Sequence, residues 1–229
     1  MSKHRIGSCQ MIQFGGIEMT WRAPSIYGTG DEVAVMTQKL IKTVALAYGR
    51  TNRRRKASFI TEYAEAKGVR TGLLVGVAPR GGSIENIVER TLIQLLPSVE
   101  FTACGLDEAP PLDWVAYRAA NALRLPFEDH AFDLVVSNAV IEHVGGEPEQ
   151  RRFIEEHARV GRHWVFTTPN RAFPVEAHTH QLMRHWRASW TSPTVTRLLT
   201  KRDIHELLKG IDGRIHGTVL SPTFMVHSA

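Results

Sequence analysis

The chain has 229 residues, with 28 Lys and Arg against 23 Asp and Glu, a formal charge of +5 and 43% hydrophobic residues. That length suits one α/β domain with a large core, or a domain with a small appendage, and the charge excess is too modest to demand an acidic partner. Cys9 and Cys104 form neither a disulfide framework nor a zinc pattern, and no apolar run of ~20 residues is available to span a membrane.

Lys3, His4 and Arg5 are followed by no apolar stretch, so a signal peptide is not expected, and a reducing cytoplasm is the expected location. Residues 1 to 30 carry Gly15, Gly16, Pro24, Gly28 and Gly30 with little periodicity and read as an irregular or partly mobile arm. From Asp31 the spacing of Val33, Met36, Leu40, Ile41, Val44 and Tyr48 predicts a helix with one buried face, closed at Gly49. The basic run Arg50 to Lys56 then reads as a solvated turn, ahead of a second helix through Phe59, Ile60 and Tyr63 that ends at Gly68. Its alternative reading is a patch for phosphate, an acidic glycan or nucleic acid, the last disfavoured because Phe59 and Tyr63 fall on an apolar face.

Beyond Thr71 short apolar runs alternate with helices. A buried strand at Leu73–Val77 leads into the glycine turn Ala78-Pro79-Arg80-Gly81-Gly82 and a helix capped by Ser83. A second strand, Val99–Cys104, ends at Gly105-Leu106-Asp107. Such folds often place a ribose-binding carboxylate there, about 20 to 30 residues after the turn. The connection to a third strand at Trp114–Arg118 is too short for the usual crossover helix.

Asn121-Ala122-Leu123 leads to the most informative stretch, Leu125 to Val144: a turn, the strand Phe132–Val136, and a polar cluster past its carboxyl end. A helix from Pro148 to about Val160, a fifth strand at His163–Thr168, a helix capped by Thr200, and two terminal strands complete the pattern. The terminal strands are expected to form an antiparallel edge. The segment after the fifth strand, Pro169 to His180, is dense in polar groups, while Trp186 and Trp190 read as packing residues.

The Asn-Ala pair, Leu125-Pro126-Phe127, Phe132-Asp133-Leu134-Val135-Val136 and Ile141-Glu142-His143-Val144 together resemble the class I S-adenosylmethionine-dependent methyltransferases, small-molecule branch, over roughly residues 70 to 190. The resemblance implies an α/β Rossmann-like fold, with a mostly parallel seven-stranded sheet, an antiparallel edge strand and an N-terminal helical extension. It further implies a cap over residues 1–69 and a cofactor domain over 70–229. S-adenosylmethionine would be held by Gly76 and Gly81 at its methionine part and by Asp107 at the ribose. Asn121, Ala122 and Leu123 would surround the adenine, with Asn138 and Ala139 under the sulfonium. The family's acidic position before the glycine loop is taken here by Leu74 or Val75, which leaves Arg80 or the N-terminal arm to meet the methionine carboxylate.

His143 is the candidate general base for a hydroxyl acceptor. Thr168 to Glu176, with His178, resembles a segment of methyltransferases acting on sugars or lipid-linked intermediates. Asn170, Arg171, Glu176 and His178 are therefore candidate substrate residues, with no metal expected because Glu176, His178, His180 and His185 match no strong ligand spacing. The expected activity is methylation, on oxygen, of a small-molecule, glycan or lipid-linked acceptor. A binding or scaffold protein without turnover and a nucleic-acid methyltransferase are the alternatives.

Overall fold

The computed structural model describes residues 10–14, 17–21, 49, 51–78, 86–108, 112–176, 182–187 and 189–229. The expected helix from Asp31, the loop residues Pro79 to Ser83 with Gly81, and His178 and His180 lie outside these. Residues 1–43 and 44–229 form separate compact units. The described part of the first is not irregular. Strands β1 (Gln10–Phe14) and β2 (Ile17–Trp21) pair antiparallel with Phe14 opposite Ile17. A Gly-Gly pair between two such runs is a hairpin signal that low overall periodicity conceals.

In the second unit helix α1 spans residues 51–66, so the basic run from Thr51 to Lys56 is helical and not a turn. Strand β3 (Thr71–Val75), helix α2 (Ile87–Leu95), β4 (Glu100–Gly105), β5 (Ala116–Ala119) and β6 (Phe132–Asn138) follow. Helix α3 (Glu147–Val160), β7 (Gly161–Pro169), α4 (Lys201–Leu207), β8 (Gly213–His216) and β9 (Thr223–Ser228) complete the unit. The sheet order is β5-β4-β3-β6-β7-β9-β8. The first five strands run parallel, and β9 enters antiparallel to both β7 and β8. No helix separates β4 from β5 among the described residues.

Both faces of this sheet are covered, which explains why its strands are continuous apolar runs. Leu73, Val75, Val135, Phe166 and Val226 pack against Phe153 and Ile154 of α3 and Ile204 of α4. Leu74, Ala103, Leu134, Val136 and Val165 pack against Ala57, Ile60 and Ala64 of α1 and Val88 and Leu92 of α2. At the start of the parallel core, the Asp133 carboxylate accepts from the Arg70 and Thr71 amides at 3.0 and 3.1 Å, and these bonds hold its pKa below the usual range. The aspartate of the Phe132-Asp133 pair thus aligns β6 with β3.

The Leu125-Pro126-Phe127 turn is clamped to α3. Buried Glu156 accepts from the Leu125 amide at 2.7 Å and from Arg159 at 2.8 Å. Arg159 also donates to the Leu125 and Phe127 carbonyls and to Asp129. A block that reads as a functional signature is thus in large part a fastening between a turn and a helix.

Candidate active site

The chain runs outward from β3 to β4 and β5, then returns across β3 to β6. The carboxyl ends of β3 and β6 therefore face a topological switch point, where such sheets place their ligands. A cleft of about 920 Å³ opens there. This is ample for a nucleotide-sized molecule by the usual range of ligand sites.

On the β4–β5 side the cleft is lined by Asp107, Asn121, Ala122 and Leu123. Asp107 is exposed on the turn after β4, and its carbonyl accepts from the Tyr117 hydroxyl at 2.7 Å, which steadies that turn. The Asn121 side-chain oxygen accepts from the Leu123 amide at 2.9 Å, closing a turn that presents Ala122 and Leu123 to the cleft. An amide oxygen has two lone pairs, so this bond leaves it able to accept another.

Between the two sides lies Gly76, whose φ of +86° and contact with Val140 admit no side chain: a Cβ there would overlap Val140. The Gly76 and Val77 amides both donate to the Cys104 carbonyl, at 2.8 and 3.0 Å. Asn86, at the entry to α2, grips Ala78 in both senses, accepting from its amide and donating to its carbonyl. Asn86 is a loop-positioning residue the sequence reading missed, because it pairs with a residue across the glycine turn.

On the β6–β7 side are Asn138, Ala139, His143 and Thr194. Ala139 sits at φ +58°, an uncommon conformation for a residue with a Cβ, held by its amide bond to the Thr167 carbonyl at 2.9 Å. The Asn138 oxygen accepts from the Lys56 ammonium and the Thr167 hydroxyl, both at 2.9 Å. Lys56 was expected in a solvated turn, yet it is buried and lines the cleft with Arg53. Burial lowers its pKa to about 8 against the pull of Glu142 and Glu89, while burial pushes Glu89 up. A hint was present: Lys56 stands four residues before Ile60 and seven before Tyr63, on the stripe that faces inward.

His143 is the last residue of a 3-10 turn over Ile141–His143. Its Nδ1 lies 2.7 Å from the Thr194 carbonyl. A carbonyl can only accept, so the proton is on Nδ1 and the neutral ring has its basic lone pair on Nε2. Thr196 reinforces the arrangement by donating its hydroxyl to the His143 carbonyl at 3.1 Å. Nothing in the local sequence announces this partner, 51 residues away.

Of the expected substrate residues, Asn170, Arg171 and Glu176 do not line this cleft. Asn170 is buried and spends its side chain on the Val219 and Ser221 carbonyls and the Ala172 amide, locking the turn after β7. Glu176 is buried, and Arg171 lines a second cavity, of about 410 Å³, beyond the His143–Thr194 wall. Trp190 also faces that cavity, and Trp186 is nearly half exposed, so neither is a simple core residue. Among the described residues no three His, Cys, Asp or Glu side chains converge as metal ligands, and no helix is long and apolar enough to cross a membrane.

Residues 80–163 match the family of methyltransferase domains. An O-methyltransferase family protein from Burkholderia thailandensis has a similar structure, at TM-score 0.53 and 13% identity over 82% of this chain and 58% of that one. Magnesium protoporphyrin IX methyltransferase from Synechocystis PCC 6803, solved with bound SAH, is similar at TM-score 0.51 and 10% identity, over 78% and 83%. Residues 80–163 thus carry the signature of a methyltransferase domain, and the fold around them is that of these two methyltransferases. No curated protein matches the chain in sequence. The family match runs through β6 and α3 and includes the cleft residues Asp107, Asn121, Asn138 and His143, while Lys56, Gly76 and Thr194 lie outside it.

Proposed function

We propose that this methyltransferase acts on a hydroxyl of a small-molecule, glycan or lipid-linked acceptor, with His143 as its general base. One observation carries the reading: a single cleft joins Asp107, Asn121 and Leu123 at one end to Gly76, Asn138 and His143 at the other. The fit to S-adenosylmethionine rests on that arrangement. Asp107 offers its carboxylate to the ribose hydroxyls, Ala122 and Leu123 offer apolar surface to the adenine, and Gly76 lets the backbone come close to the methionine part. Lys56 and Arg53 bring positive charge toward the carboxylate of that part, a task the sequence left to Arg80 or the N-terminal arm. Helix α1 brings both residues to the edge of the cleft.

Bound there, the cofactor supplies an electrophilic methyl carbon. The chain's own work is to hold the acceptor oxygen in line, exclude water and remove a proton. His143 takes the hydroxyl proton at Nε2, and the Thr194 carbonyl stabilises the imidazolium by accepting from Nδ1. The test combines calorimetry with S-adenosylmethionine and its demethylated product, and turnover across a panel of neutral and phosphorylated alcohols. His143→Ala should bind the demethylated product normally while turnover falls by about 10²- to 10⁴-fold. Near-full turnover in that variant removes His143 from the reaction.

A further inference from the structure

The second cavity lies behind the wall that holds His143 and has its own chemistry. Its lining includes Arg171, His185, Arg187, Trp190 and Thr191. Arg197 also reaches it, but Asp203 and Glu147 neutralise that guanidinium at 3.0 and 3.3 Å, and Gln150 accepts from it as well. Arg171 and Arg187 form no ion pair among the described residues, and Asp203, whose carboxylate feels Arg171, is already bonded to Thr200 and Arg197.

His185 is the second observation. Its residue is 3% exposed, and its Nε2 donates to the Arg171 carbonyl at 3.0 Å. Its Nδ1 is buried with no hydrogen-bond partner. A buried polar atom left unsatisfied costs roughly 1–3 kcal/mol, and proteins retain few of them. His185 itself lines a cavity that also bears two guanidinium groups with no ion-pair partner among the described residues.

We propose that this cavity binds a phosphate group, and that in the working enzyme it is the phosphate of the methyl acceptor. Two guanidinium forks match the charge and geometry of a dianionic phosphate better than a single carboxylate. On binding, the His185 ring takes up a proton on Nδ1 and turns toward the cavity, so that Nδ1 donates to a phosphate oxygen. Only the assignment to the acceptor rests on the function proposed above. It follows from the shared wall, since Thr194 holds His143 while Val195 and Thr196, next in sequence, line the second cavity. A phosphate held there directs the rest of its molecule toward His143.

The experiment titrates inorganic phosphate into the full chain at constant ionic strength and follows the imidazole nitrogen resonances, with acetate as the carboxylate control. His185 should shift saturably with phosphate and not with acetate. Arg171→Gln combined with Arg187→Gln should weaken that response by about tenfold or more. The same double variant should bind the demethylated cofactor as the parent does, since neither arginine lines the methyltransferase cleft. A His185 signal indifferent to phosphate, equally responsive to acetate, or unchanged in the double variant overturns the site. Loss of demethylated-cofactor binding by the parent chain, with the phosphate response intact, overturns the cleft assignment alone.

Discussion

Gly76 shows how much one residue decides. At φ +86° only glycine is relaxed, and Val140 occupies the space a methyl group would need. Gly76→Ala should therefore lose roughly 1–3 kcal/mol of unfolding free energy in urea and also weaken binding of the demethylated cofactor. Val140→Ala in the same chain removes the overlap but not the backbone strain, so it should restore part of the stability and not all. Full restoration would show that sterics alone matter there. Lys56 carries the opposite lesson. Its charge is depressed by burial to a pKa of about 8, so the ammonium is kept in the fold at a cost that points to use rather than to stability.

Helix α3 is the element that turns a sequence signature into a shape. Its Glu156 and Arg159 capture the Leu125–Phe127 turn, while His157 reaches the Ser137 hydroxyl on β6 at 3.1 Å. Arg159→Leu leaves the buried Glu156 carboxylate with Arg152, whose side chain is half exposed, as its remaining ion-pair partner. The expected loss is about 3 kcal/mol, read from urea unfolding. Glu156→Gln with Arg159→Leu should recover part of that loss, because no buried charge is then left behind. An additive double variant would place the clamp's contribution elsewhere.

For the whole molecule, acid stability follows from the same helix. His157 is fully buried, and burial lowers its pKa from 6.5 to about 4 despite its bond to the Phe153 carbonyl. The unfolded chain thus binds a proton that the folded chain refuses between those values. Stability falls as pH drops through this window, by roughly 2–3 kcal/mol between pH 6.5 and 4.5. His163 and His227 are depressed in the same direction and add to the slope. Asp133 and Asp203 have lowered values and contribute their losses at lower pH. Urea unfolding at pH 7 and 4.5 measures the fall, and His157→Gln should flatten it. An unchanged slope in that variant assigns the acid sensitivity to other groups.

Local patterns suffice for much of this molecule. The apolar runs of β3, β4, β6 and β7, the Thr200 cap of α4 and the antiparallel terminal strands follow from residues adjacent in sequence, and so does the order of cleft residues Gly76, Asp107, Asn121 and Asn138. These depend on backbone propensity and on burial of both sheet faces, which short windows express. Tertiary structure decided the rest. The proton position on His143 depends on the Thr194 carbonyl, and the withdrawal of Lys56 from solvent depends on Asn138 and Glu142. The diversion of Asn170 into a turn depends on the Val219 and Ser221 carbonyls, and that of Arg171 into a separate cavity on His185 and Trp190. Each is a contact between residues far apart in the chain, and a side chain's charge, tautomer and exposure are set by such neighbours, which no local pattern contains.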